Sequence, residues 1–462
     1  MRHSLSRREM LSRCSSGFGL LALQGMLGTP AVLSAKTNFK AKAKSVIFCY
    51  MSGGASHLDT FDPKPELKKY AGKPMPVKIE RTQFNKNGNV FPSPFEFKPY
   101  GKSGIPVSSI FPKVCEMADD LAVVRSMTSK VNDHAQGNYA FHSGFPFMGH
   151  PSAGAWVSYG LGSANENLPS FVVLNSAGSV APHGGVGLYG SGYLPAGNQG
   201  SILQVDNSEP VRNVKPRESL FAQRNRLSFL KGFDKSFLSQ TGENLQVEAA
   251  IKNYETAYKM QAAVPELCDL SGETETTKKL YGLDNGQCTH FARQCLMARR
   301  MIERGVRYVQ IYSGGMENQR SWDGHNDIMG NHTGFAGETD QPIAGLLHDL
   351  EERGLLDETL VIWGGEFGRL PVAQKSNKPG RDHNPHAGCY WFAGGGVKSG
   401  TSYGETDELG HQAVVDKVEI HDLHATILHL LGLDHKKLTF KHNGRRFRLT
   451  DVAGRVINQI VA

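Results

Sequence analysis

The chain has 462 residues, 39% of them apolar and 21% charged, which is enough to bury a sizeable core and too apolar for a disordered chain. No apolar run reaches the roughly 20 residues that span a bilayer, so a polytopic membrane protein is excluded. The net charge is +7, of which Arg2, Arg7, Arg8 and Arg13 against Glu9 account for three; no basic stripe with interleaved aromatics follows, and nucleic acid is not an expected partner.

Ser6-Arg7-Arg8-Glu9-Met10-Leu11 has the form of a twin-arginine export signal. A short apolar stretch from Gly17 to Met26 follows, then small residues at Ala31, Ser34 and Ala35 where a peptidase could cut. Residues 1–35 are therefore expected to be a signal that engages the Tat export machinery. The mature chain is expected in the periplasm, secreted or at the cell surface, with no transmembrane helix. Export favours disulfides, and Cys268 with Cys288 is the first pair to test; Cys49, inside an apolar run, reads as a buried thiol. No Cys-x-x-Cys occurs, which argues against a thiolate zinc site.

Six apolar runs read as buried strands: Ser45 to Met51, Leu121 to Val124, Phe171 to Leu174, Arg307 to Tyr312, Thr359 to Trp363 and Cys389 to Ala393. Several end in glycine pairs or triplets. Helical patterns lie between them, over Leu245 to Ala263, Ala292 to Arg304 and Gly345 to Arg353. Strands alternating with helices predict an α/β fold with a mostly parallel central sheet and helices on both faces. Residues 36–462 read as one domain, with a helical insertion at about 183–300.

Polar clusters follow or precede these strands. They are His57, Asp59 and Asp62; Trp322-Asp323-Gly324-His325-Asn326-Asp327; Glu366-Phe367-Gly368-Arg369; and Arg381-Asp382-His383-Asn384-Pro385-His386. In a parallel sheet these loops share one edge, so distant residues can converge there. Imidazoles with carboxylates suit zinc, calcium, manganese or magnesium, so His57, Asp59, Asp323, His325, Glu366, Asp382, His383 and His386 are candidate ligands of a divalent metal of unknown identity. Arg369 or Arg381 would hold an anionic oxygen bidentately. Taken singly, each cluster also reads blandly: His421 and His424 can be a helix start with Asp422 as its cap, and Glu366 can pair with an arginine.

Three segments resemble the alkaline phosphatase/sulfatase superfamily. Leu355 to Gly368 is similar to the strand that delivers a metal-binding Asp-His, Asp422 to Gly432 to a later helix, and His142 to Pro146 to a helix end. More closely, the twin-arginine start, GG-x-SH-x-D-x-FDPK, WD-x-H, GEFGR, GRDH and DLHATILHLLG resemble the exported domain-of-unknown-function family 1501, a branch of that superfamily. The resemblance implies an alkaline-phosphatase-like (sulfatase-like) fold and a metal-dependent hydrolase of phosphate or sulfate esters, either small molecules or polysaccharides. It also implies departures. Ser52-Gly53-Gly54 stands where the superfamily has an Asp, and Phe367 where it has a His. The nucleophile position falls near Ala135, between Asp133, His134 and the helix they open, with Thr128 or Ser129 as out-of-register substitutes. Asp133 and His134 are accordingly candidate catalytic groups beside Arg369 and Arg381. No Cys-x-Pro-Ser-Arg occurs, which argues against a formylglycine sulfatase. The alternative is an inactive scaffold that binds a glycan or surface partner on Trp156, Trp322, Trp363 or Trp391.

Overall fold

Seven consecutive buried residues, Ser45–Met51, form the central strand β1 of an eight-stranded sheet. The computed structural model describes residues 37–462 apart from 83, 166, 176–180, 207–209, 212–217, 242–244 and 316–319, so the export signal expected in residues 1–35 lies outside the described residues. The described residues form one compact unit. The other strands are β2 (Leu121–Val124), β3 (Phe171–Asn175), β4 (Ser201–Gln204), β5 (Tyr308–Ser313), β6 (Thr359–Gly364), β7 (Tyr390–Ala393) and β8 (Thr401–Tyr403). Their order is β8-β2-β7-β6-β1-β5-β3-β4. All pairings are parallel except those of β7, which is antiparallel to both β6 and β2.

Both faces of the sheet are covered, which is why its strands read as unbroken apolar runs. On one face Ile47, Cys49, Met51, Val309, Ile311, Val361 and Trp363 join one core with helices α5 (Thr289–Glu303) and α6 (Ile328–Glu352). On the other face lie α1 (His134–Ser143) and α2 (Ala153–Leu161), with Phe141 stacked on Tyr390 and His142 against Tyr50. Helix α7 (Ile420–Leu430) supports α1: His421 Nε2 meets the Gly144 carbonyl and His424 Nε2 the Phe141 carbonyl, both at 2.8 Å. Those two histidines are structural. Among the described residues no helix is long and apolar enough to cross a membrane.

Several expectations are corrected. Within 183–300, β4 joins the sheet and α5 joins the main core, while α3 (Leu220–Thr241) and α4 (Leu245–Cys268) are the two long helices. The polar ends of β4 and β8 hide both edge strands from a search for apolar runs. All four tryptophans are in the core, at most 1% exposed, so none is a stacking platform. Cys268 and Cys288 are unbonded; Cys288 Sγ instead donates to the Gly282 carbonyl at 3.4 Å. Burial raises both thiols to about 11, leaving them weak nucleophiles. Cys49 is a buried thiol, as expected.

The loop leaving β1 is as tight as the strand. Gly53 and Gly54 have φ of 102° and 71°, and a Cβ on Gly53 would meet Asp323 N and Ser321 Oγ at 2.6 Å each. Gly53→Ala is therefore expected to cost more than the ~1–2 kcal/mol of a left-handed conformation alone; a urea titration that shifts by less would show that the loop can yield.

Candidate metal centre

The carboxyl ends of β1, β5 and β6 open onto one polar point. His134 comes from the first turn of α1, where Asp133 caps the helix by accepting from Gln136 N at 3.1 Å. Asp323 and His325 come from the loop after β5. His383 comes from a two-residue ribbon, His383–Asn384, paired antiparallel with Gly368–Arg369 just beyond β6. One ring nitrogen of each histidine and one oxygen of Asp323 lie within 4.8 Å of one another. Asp323 Oδ1 is 2.9 Å from His325 Nε2, 3.2 Å from His134 Nε2 and 3.4 Å from His383 Nε2.

The outer nitrogens fix the tautomers. His134 Nδ1 meets Glu366 Oε1, His325 Nδ1 meets Gln374 Oε1 and His383 Nδ1 meets the Asn132 carbonyl, each at 2.6 Å. These partners only accept, so each ring donates from Nδ1 and a neutral ring turns a bare Nε2 lone pair inward. His325 Nε2 and His383 Nε2 are 2.9 Å apart. Two lone pairs that close repel, and only a cation or a proton between them makes the contact favourable. His134 Nε2 is buried and makes no aligned hydrogen bond. The residues thus fit a divalent ion: three neutral imidazoles and one carboxylate, each imidazole braced from behind.

Electrostatics keep Asp323 and His383 in ligand form. Burial opposes the charge on Asp323, but the Arg369 guanidinium at 2.6 Å and the three imidazoles hold its carboxyl far below the usual range. Burial pushes His383 well below the ordinary histidine value, against the pull of Asp323 and with the help of Arg369. His134 goes the other way. Burial lowers it, but its contacts to Asp323 and Glu366 win and raise it to about 9.

Glu366 stands behind His134 rather than beside the other inner atoms. It is fully buried, and besides His134 it accepts from Gly53 N at 2.9 Å and Tyr50 OH at 3.2 Å. Other expected residues are engaged elsewhere. Arg369 donates to the carbonyls of Gly53, Gly54 and Arg381 and to Asp323, and Arg381 is bidentate to Asp59 while donating to Phe91 and Leu370. Both guanidiniums are fully buried, so neither presents a fork to an incoming anion. Asp59 also accepts from Ser56 Oγ at 2.5 Å. His57 Nε2 is bound to the Gly410 carbonyl at 2.8 Å, and its Nδ1 faces Arg369 N. Asp382 accepts from His383 N and Phe84 N. His386 is 41% exposed and lies 3.4 Å from Glu80. Ala135 sits one residue into α1, and Thr128 donates to the Val418 carbonyl. Sequence reasoning did not single out Gln374 or Asn132. Asn132 acts through its backbone, which leaves no side-chain signal, and Gln374 matters only because of the register that pairs Val372–Gln374 with residues 87–90.

Asp59→Ala removes the partner of a fully buried guanidinium and is expected to destabilise the fold by ~3–5 kcal/mol. Metal content per folded chain should not change; a variant that loses metal at unchanged stability would make Asp59 a ligand.

No curated protein matches the sequence. Solved structures similar to the chain include alkaline phosphatase from the Antarctic bacterium TAB5, at 10% identity, covering 84% of this chain and 98% of that one with a TM-score of 0.35. Another is the lipoteichoic acid synthase LtaP from Listeria monocytogenes, at 10% identity, 93% and 80% coverage and a TM-score of 0.36. A third is the PsFucS1 sulfatase from Pseudoalteromonas sp., at 12% identity, 93% and 72% coverage and a TM-score of 0.35. A family whose members are described only as proteins of unknown function matches residues 43–461, nearly the whole described chain, and the protein belongs to that family, DUF1501.

Proposed function

We propose that the protein is an exported, divalent-metal-dependent hydrolase of phosphate or sulfate esters. The observation that carries this reading is the meeting of three inward lone pairs and one carboxylate oxygen at the sheet edge, with the 2.9 Å contact between two imidazole nitrogens. Asp323, His134, His325 and His383 would hold the ion. Bound there, it would polarise an ester oxygen as a Lewis acid and lower the pKa of an attacking water. Three of the four ligands are neutral, which suits an anionic substrate. Glu366, Gln374 and Asn132 orient the rings, and Arg369 keeps Asp323 ionised. The side chain at the superfamily's nucleophile position is a methyl group, so water rather than a covalent serine or threonine attacks. The choice of phosphate or sulfate esters rests on the sequence motifs.

Mass-spectrometric metal analysis of the purified protein is expected to find about one divalent ion per chain, in keeping with one four-ligand centre. His325→Gln and His383→Gln should weaken its retention by about tenfold or more. The metal-loaded protein should release nitrophenol from 4-nitrophenyl phosphate or sulfate without an initial burst. A folded protein with no ion would end this reading, and a loaded one inert on both esters would end its hydrolase part.

A second outcome is a pH dependence. His134 is raised to about 9 in the folded chain, above its unfolded value. The stabilisation is full below about pH 6.5 and is lost as pH rises through 9, roughly 3 kcal/mol in all. Chelated protein should therefore lose stability between these values in urea titrations. Bound metal takes the place of the proton on Nε2 and should abolish the slope; the same slope with and without metal would remove His134 from the ligand set.

A further inference from the structure

Residues 73–82 and 84–86 form a strap beside the candidate metal centre. Its root is apolar: Met75 and Ile79 pack against Leu58, Leu67, Val90, Leu370 and Val372. Its tip is a fixed turn. Thr82 N donates to Asn85 Oδ1 at 3.0 Å and Asn85 N to Thr82 Oγ1 at 3.1 Å, with Asn85 in the left-handed region at φ 52°. The turn presents Phe84. Its N–H is held by Asp382 Oδ2 at 3.2 Å, and its ring stands edge-on with its centroid 4.7 Å from that of His325. Phe84 is nevertheless 45% exposed. A phenyl ring half in water, against a ligand histidine, is a contact surface and not core.

The strap is also cationic. Lys73, Lys78, Arg81 and Lys86 are exposed, as is Lys375 on the neighbouring segment. Lys375 N donates to the Lys86 carbonyl at 2.9 Å, one residue past the Gln374 that braces His325. Among the described residues none of these five cations has an ion-pair partner. Asp327 is paired with Lys378, and the strap's one acid, Glu80, lies 3.4 Å from His386, so the five cations face a single carboxylate. Unpaired like charges repel one another, and the repulsion is relieved by a ligand with several negative charges. One ester needs one cationic contact. Five cations spread along a strap suit a chain with repeated anionic groups.

We propose that this strap, with Lys375, binds an anionic polysaccharide, its cations meeting sulfate or phosphate groups on units flanking the one at the metal centre and Phe84 lying against a sugar ring. The part played by the metal centre rests on the hydrolase reading; the binding does not. A nucleic acid fits less well, because the strap carries no second aromatic on which successive bases could stack.

The test is fluorescence anisotropy of labelled dextran sulfate oligomers on the protein as purified. Saturable binding is expected, weaker by about tenfold when salt rises from low to high, and absent for neutral dextran. The double variant Lys86→Glu/Lys375→Glu should weaken binding by about tenfold or more. Lys42→Glu/Lys398→Glu, with the same charge change at the opposite edge of the sheet, should stay within about twofold. Phe84→Ala should also weaken it without altering the salt slope. Equal losses in the two double variants, or equally tight binding of duplex DNA of matched charge, would overturn the proposal. Chains that bind but are never cut would keep it and refute the hydrolase reading instead.

Discussion

A guanidinium with no access to water must satisfy all its charge and hydrogen bonds within the protein, and Arg369 does so with three segments at once. It takes carbonyls from the loop after β1, a carbonyl from the residue before Asp382, and the carboxylate of Asp323 from the loop after β5. Three loops that share nothing in sequence are thereby held at fixed separation. The ligand geometry follows from that bracket. Asp323 cannot leave Arg369 without stranding a buried charge, and the imidazoles gather around Asp323. Arg381 and Asp59 repeat the arrangement one layer back and fix the strand-1 loop against the ribbon that carries His383.

The fold was largely legible in the sequence because burial on both faces removes ambiguity. The six runs from Ser45 to Ala393 match six of the sheet strands to within a residue or so, and the glycine pairs after β1 and β6 mark where the chain leaves the sheet. The edge strands β4 and β8 were not legible, since each is covered on fewer sides and carries polar residues such as Gln204 and Ser402. The site was legible as clusters but not as roles. Composition cannot distinguish the inner Asp323 from Asp59, because both are buried acids next to an arginine in a loop at a strand end. What separates them is which arginine each faces and whether imidazoles surround it. The motifs suggest a catalytic role for His134 and a ligand role for Glu366, whereas His134 stands in the cluster that could hold an ion and Glu366 stands behind it.

The reversal of β7 explains one regularity. Three polar clusters follow their strands, whereas Arg381 to His386 precede theirs. In an all-parallel sheet that cluster would be at the wrong edge. Because β7 runs against β6 and β2, its beginning lies where the other strands end, and His383 reaches the centre from upstream. The same reversal carries the Gly394 to Gly396 turn to the far edge, where it packs on the carbonyls of Leu356 and Thr359 instead of lining the site.

The position of β1 also has a consequence for how the protein is made. Ser45 pairs with Thr359 on one side and Val46 with Tyr308 on the other, so the first strand synthesised has no neighbour until most of the chain exists. Such long-range pairing is slow and leaves an unpaired apolar strand exposed meanwhile. Asp323, Glu366 and His383 come as late as those neighbours do. The four residues that could hold an ion therefore cannot come together before those neighbours are made, and any ion they hold would be taken up only after the sheet has closed.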